Sequence, residues 1–219
     1  MMKRLAYALT LLLHALAIGV LILFSLAASA MDDGAETGEA AVSELVIGDE
    51  IDELIPTSRG KGVVLVFLGT ECVISRRMIA RLNELAVTGE KLGFKLYGLF
   101  PNQWDTSDSL EAFAADYEVE FPLILDDDAR IARKLKPSVS PEVFLFDDEM
   151  RLMYRGRIDN RFAAIGVLRN KITRHDLLDA MQAISEGALP EVTYSEPVGC
   201  VYGDWDEKAP SHQHNHKHG

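Results

Sequence analysis

The stretch Val63-Val64-Leu65-Val66-Phe67-Leu68 limits the fold more than any other part of the chain. An apolar, β-branched-rich run without alternation belongs in a strand covered on both faces. A helical pattern follows within a few residues. Ile74, Met78, Ile79, Leu82, Leu85 and Ala86 recur at helical spacing, Arg76, Arg77, Arg81 and Glu84 fall on other faces, and Gly89 stands near the expected stop. A doubly covered strand leading straight into an amphipathic helix predicts a layered α/β architecture, because each sheet face needs a helix to shield it.

The alternation continues downstream. Phe94 to Phe100 reads as a strand, Ser107 or Asp108 caps a helix running to Tyr117, and Phe121 to Leu125 is a third strand. Asp127 or Asp128 opens a helix carrying Ile131, Ala132 and Leu135. It ends before Pro137, since the residue ahead of a proline is driven out of the helical region. Val143 to Phe146 and Arg151 to Arg155 flank the acidic step Asp147-Asp148-Glu149 as a hairpin. Thr173 caps a last helix with Leu177, Leu178, Met181 and Ile184 inward, which stops at Gly187. These elements predict one α/β domain over residues 43–187, a mixed central sheet with helices on both faces. Residues 31–42, Gly, Ala and acid without apolar periodicity, read as a linker, and 188–219 as a polar extended arm.

Charge narrows the functional classes. Lys and Arg number 22 against 34 Asp and Glu, a formal net charge of −12, which argues against nucleic acid and against docking on an anionic membrane face. The N-terminus speaks to location. Met1-Met2-Lys3-Arg4 leads into an apolar run from Leu5 to Leu26, followed by Ala28-Ser29-Ala30, the pattern of an export signal over residues 1–30. The run is also long enough to remain as an inner-membrane anchor. Cleaved or retained, it leaves the basic residues inside and the domain extracytoplasmic, periplasmic or secreted.

Cys72 and Cys200 are the two cysteines, and export places both where disulfides persist. Two readings stand side by side: a permanent staple tying the arm to the domain, and a reactive pair. The placement of Cys72 speaks for chemistry at its sulfur. Between a buried strand and a helix, free N–H groups and the positive end of the helix dipole stabilise a thiolate, and Arg76 and Arg77 follow within a turn. A thiolate attacks a hydroperoxide or a disulfide. Cys200 can then serve as resolving partner from the arm, because the entropy of loop closure grows only slowly with length.

Phe67-Leu68-Gly69-Thr70-Glu71-Cys72-Val73-Ile74-Ser75 resembles the active-site segment of thioredoxin-like proteins, with Cys72 at the first motif cysteine and Ser75 at the second position. Ser140-Pro141-Glu142-Val143-Phe144-Leu145-Phe146-Asp147 resembles the cis-proline turn and following strand of that fold. This resemblance implies a cis Pro141 packed beside the cysteine and presenting backbone to a bound partner. Phe121-Pro122-Leu123-Ile124-Leu125-Asp126-Asp127 is similar to a segment of the alkyl hydroperoxide reductase and thiol-specific antioxidant redoxins, a likeness spanning roughly residues 43 to 186. Pro141-Glu142-Val143-Phe144, Tyr154-Arg155-Gly156-Arg157-Ile158-Asp159-Asn160 and Glu196-Pro197-Val198-Gly199-Cys200 together resemble a peroxiredoxin-like set of bacterial redoxins.

The resemblance implies a thioredoxin-like fold and a thiol-based oxidoreductase that requires no cofactor. A reducing thiol protein or small thiol would be its partner, and a hydroperoxide or protein disulfide its substrate. The catalytic candidates are Cys72, Cys200, Thr70, Ser75, Arg76 and Pro141. Three departures from the family pattern bear on chemistry. Cys72-Val73-Ile74-Ser75 has no second thiol with which to close a local disulfide. Gly69 stands where the peroxidases carry a threonine, leaving Thr70 one residue late. Pro141 begins the strand that in them begins with an arginine, leaving Arg155 or Arg157 as replacements.

His212, His214, His216 and His218 set imidazoles at every second position, a pattern able to gather copper or zinc. This supports an alternative class, a non-catalytic thioredoxin-fold module that delivers copper through Cys72 and the tail. Copper-delivery members of the fold carry a CxxxC pair, however, and position 76 here is Arg76. Asp126, Asp127 and Asp128 read as acids at a helix start rather than a metal cluster. His175 reads as a solvated residue of the last helix.

Overall fold

The computed structural model describes residues 60–203 and 205. The apolar N-terminal run, the linker and the histidine tail lie outside the described residues, and so do the signal, anchor and metal expectations that rest on them. Strand β1 (Gly62–Phe67) is the apolar run and is buried along its whole length. It pairs in parallel with β2 (Phe94–Phe100) and antiparallel with β5 (Glu142–Asp147). With β3 (Leu123–Leu125), β6 (Leu152–Gly156) and β9 (Tyr194–Ser195), the six-stranded mixed sheet has the order β3-β2-β1-β5-β6-β9.

The two-residue period of β1 divides the core in two. Val64 and Val66, continued by Leu68, face helix α1 (Val73–Leu92), helix α4 (Asp176–Ser185) and the inner side of α2 (Ser107–Asp116). Val63, Leu65 and Phe67 face α3 (Arg130–Leu135), with Tyr202 and Trp205 of the arm packed on the same cluster. Helices on both faces of a mixed sheet make this an α/β fold, as the alternation predicts, and a thioredoxin-like one, as the resemblance implies. The β5–β6 ladder shifts register between Leu145 and Phe146. This irregularity turns Leu152 toward α3 and Tyr154 toward α1, although both share one sequence parity.

Several boundaries differ from the sequence expectation, each for a local reason. α1 runs through Gly89, which packs on Met181 of α4; a Cβ there would stand 3.4 Å from the Met181 sulfur, an ordinary contact. Gly93, at φ 93°, ends the helix instead, its N–H donating to the carbonyls of Gly89 and Glu90. α2 is capped by Thr106 in a reciprocal box with Ser109, one residue earlier than expected. α3 starts at Arg130, and its free amides at Ile131 and Ala132 donate to the Asp126 carboxylate at 3.3 and 2.9 Å. Thr173 is not a cap. It pairs with Asn160, and α4 starts after His175. His175 is half-buried with a ring nitrogen 3.3 Å from Arg81, not freely solvated.

The largest difference is the arm, which is not simply coil beyond Gly187. Its β9 extends the main sheet along β6, and β10 (Cys200–Val201) pairs antiparallel with β4 (Val139–Ser140). A short hairpin, β7 (Phe162–Ala164) with β8 (Val167–Leu168), projects before α4.

Candidate active site

Cys72 is the N-cap of α1. Its backbone is extended, at φ −79° and ψ 114°, and its sulfur accepts from the Ser75 amide at 3.4 Å. The side chain thus takes the place of the oxygen that normally satisfies a first-turn amide. Ser140 lies across from it, with its carbonyl 2.9 Å from Sγ. The Ser140–Pro141 peptide is cis, and Pro141 is buried beside Ser140. Ser75 bonds Ser140 through their hydroxyls at 2.7 Å, and the Ser140 hydroxyl also meets the phenol of Tyr202, which donates to the Leu68 carbonyl at 2.8 Å. A chain of hydroxyls therefore runs under the sulfur from α1 to the arm.

Cys200 reaches the same place. β10 sets it directly opposite Ser140, whose carbonyl meets the Cys72 sulfur, and the two unbridged thiols border one cavity. Burial pushes the Cys72 thiol up. The Cys200 thiol, the Ser75 amide and hydroxyl, and the Cys200 backbone outweigh it, so that Cys72 titrates below its ordinary 9.0. The Ser140 carbonyl accepts from the protonated thiol and favours the neutral form, opposing these donors. Burial, then the hydrogen bond to Cys72 and the Cys72 charge, push the Cys200 thiol up to about 11, while the amides of Ile74 and Val73 pull against that rise. Of the two thiols, Cys72 at the helix tip is the more acidic and Cys200 the more firmly protonated.

The remaining sequence candidates support the loop rather than touch the sulfur. The Thr70 hydroxyl and amide both go to Asp105, and Asn102 donates to the second Asp105 oxygen at 2.8 Å. Arg76, expected to lower the thiol, is not among the chief groups that do so and is engaged by the loop instead. Its Nε donates to the Thr70 carbonyl at 2.6 Å, another nitrogen lies 3.4 Å from Glu71, and the guanidinium stands over the Tyr117 ring. Arg77 is exposed. Both candidate replacement arginines are engaged elsewhere, Arg155 on Glu142 at 2.6 Å and Arg157 on Asp176 at 2.8 Å. Among the described residues no three His, Cys, Asp or Glu side chains gather as a metal site.

Cys72 is only 5% exposed, less open than a freely reachable thiolate, but the sulfur is not sealed in hydrocarbon. It borders a cavity of about 150 Å³ shared with Gly69, Glu71, Asn102, Trp104 and Cys200. A Cβ on Gly69 would stand 3.0 Å from the Asn102 amide nitrogen, so a side chain there would crowd this wall. Sequence reasoning missed Ser140, Asp105 and Tyr202 as parts of the site.

Residues 50–155 match the AhpC/TSA family. Among characterised proteins, the chain is similar to the thiol-disulfide oxidoreductase ResA of Geobacillus kaustophilus, at 32% identity over 41% of this chain and 50% of the relative. It is also similar to ResA of Bacillus thuringiensis, at 26% identity over 56% of this chain and 68% of the relative. The chain thus spans about half the length of the first of these relatives. Two crystal structures share the fold, a hypothetical protein of Sinorhizobium meliloti and an uncharacterised protein of Geobacillus kaustophilus. Each has a TM-score of 0.58 over 66% of this chain, with 22% and 20% identity and coverage of 80% and 77% of those chains.

Proposed function

We propose that this chain, which carries an AhpC/TSA redoxin domain over residues 50–155, is an extracytoplasmic thiol-disulfide oxidoreductase whose redox couple is Cys72 and Cys200. The observation that carries the reading is that β10 sets Cys200 opposite Ser140, whose carbonyl is 2.9 Å from the Cys72 sulfur at the tip of α1, so that both thiols border one cavity. Cys72 thiolate attacks a disulfide and forms a mixed disulfide. At that moment the negative charge on Cys72 disappears, and with it two of the influences that raise Cys200. Burial of Cys200 remains, but the Val73 and Ile74 amides still favour its thiolate, so Cys200 becomes the better nucleophile when it is needed. Its attack on the Cys72 sulfur releases the second half of the substrate and closes the Cys72–Cys200 bond. The two sulfurs supply all the redox capacity of this step. Cys200 thereby replaces the local thiol that the position of Ser75 lacks.

Peroxide reduction finds less support in the same geometry. The Thr70 hydroxyl is committed to Asp105, and Arg155 and Arg157 are committed to buried carboxylates. Export by residues 1–30, with retention at the inner membrane through residues 5–26, belongs to the proposal on the strength of the sequence pattern. A titration of the purified protein against a thiol/disulfide buffer, read by mass spectrometry, tests the couple. A reversible loss of two hydrogens that joins the Cys72 and Cys200 peptides, absent in Cys72→Ser and Cys200→Ser, is expected. No bridge at any potential would refute the couple, and a bridge that resists all but the strongest reductants would make it a structural tie.

A further inference from the structure

A polypeptide that brings a disulfide to Cys72 must pass Ser140, whose carbonyl is 2.9 Å from the sulfur. Its backbone would therefore lie along the β4 edge, where the free N–H and C=O groups of Val139 and Ser140 would pair with it as with an added strand. That edge is taken. β10 pairs with it antiparallel, Cys200 opposite Ser140 and Val201 opposite Val139, and the Tyr202 amide donates to Ser138 at 3.1 Å. The approach is close enough that a Cβ on Gly199 would stand 2.3 Å from the Ser140 carbonyl oxygen.

Two aromatic side chains fasten this strap. Tyr202 donates to Leu68 at 2.8 Å, the Trp205 indole donates to Pro137 at 2.7 Å, and their rings lie 5.0 Å apart. What stays open at the sulfur is the cavity of about 150 Å³. A space of that order admits a benzene-sized group but not an extended chain.

We infer that the strap selects low-molecular-weight disulfides over polypeptide disulfides, and that polypeptides react only through molecules in which β10 has lifted from β4. The inference rests on the exchange reading above and names its substrate class. With a small disulfide RSSR, Cys72 thiolate bonds one sulfur and RS⁻ leaves. Cys200 then gives its proton to solvent and bonds the Cys72 sulfur, and the second RS⁻ leaves. The protein loses two electrons and two protons, and RSSR gains them as two RSH. A small disulfide needs only the cavity for this sequence, whereas a polypeptide disulfide needs the edge as well.

The test uses the full chain, fully reduced, in single turnover with two chemically matched oxidants. One is glutathione disulfide, the other a linear peptide dimer joined by one cysteine disulfide. Gly199→Ala pushes the strap off Ser140, and Trp205→Ala removes its far fastening. Each is expected to raise the peptide-to-glutathione rate ratio about five- to tenfold, the change for loss of one or two strap hydrogen bonds. A ratio that stays within about threefold of the parent in both variants, with their melting transitions intact, would overturn the inference, since one such bond is typically worth about fivefold. Cys72→Ser separates the two claims. Loss of both reactions in that variant leaves the exchange reading standing whichever way the ratio moves, while undiminished reaction would remove that reading itself.

Discussion

Glu142 follows the cis proline, is fully buried, and holds two parts of the site together through one carboxylate. One oxygen accepts from Arg155 at 2.6 Å, and the other from the Ser138 amide at 2.6 Å and the Ser138 hydroxyl at 2.8 Å. Glu142→Ala removes all three bonds and leaves Arg155, 28% exposed, with only the Lys136 carbonyl and the Phe144 face. Breaking a buried pair from one side costs about 3–5 kcal/mol, and the partial exposure of Arg155 puts this case near the lower end. With an m-value of roughly 2 kcal/mol/M, the urea midpoint of the purified protein should fall by about 1.5 M at unchanged slope. Glu142→Gln, which keeps an acceptor facing Arg155, should lose about half as much. Arg155→Met placed on Glu142→Ala should recover part of the loss by removing the stranded charge. A Glu142→Ala midpoint within about 0.5 M of the parent would refute the assignment of a stabilising role to this carboxylate.

Cys200→Ala removes the thiol that lowers Cys72 and keeps the backbone, so the pH midpoint of Cys72 alkylation should move upward; an unmoved midpoint would show that the Cys200 thiol does not set it. Stability should decline between pH 9 and 11. Over that range the unfolded chain ionises Cys200 at its ordinary 9.0 while the folded protein holds the thiol to about 11, and the raised Tyr154 and Tyr202 extend the loss to higher pH, as thermal melts across the range would show. Gly98→Ala would set a Cβ 2.9 Å from Leu123 and 3.0 Å from Leu68, an overpacking expected to lower stability by about 1–3 kcal/mol in a urea titration.

The parts of the fold that sequence reasoning captured are those governed by period. The apolar run at Val63 to Leu68, the helical spacing from Ile74 to Leu85 and the hairpin about Asp147 report burial directly. Caps were less legible, because Thr106, Ser107 and Asp108 are all competent and the geometry of the preceding loop selects among them. Gly89 misled for a physical reason: a glycine ends a helix where φ is positive, as at Gly93, but inside one it can simply pack, here against Met181. Cys72 was readable because a strand-to-helix junction carries its own electrostatics. Ser140, Tyr202 and Asp105 were not, since their contacts with the Cys72 loop join distant parts of the chain and leave no local pattern. The arm was read as coil because strands two residues long carry no period of their own and exist only where an edge receives them.

Cys200 is tied on both sides, upstream by Ser195 in the main sheet and downstream by the phenol of Tyr202. Seven residue steps separate these moorings, a contour of at most ~25 Å, so the intervening span can bow outward but cannot drift away. Even detached, its sulfur explores only a small volume around its partner, and the local concentration of thiol stays high enough for recapture to outpace solution thiols. On the proposed couple, a mixed disulfide at Cys72 would be closed from within the molecule, by a thiol that the two moorings keep at hand.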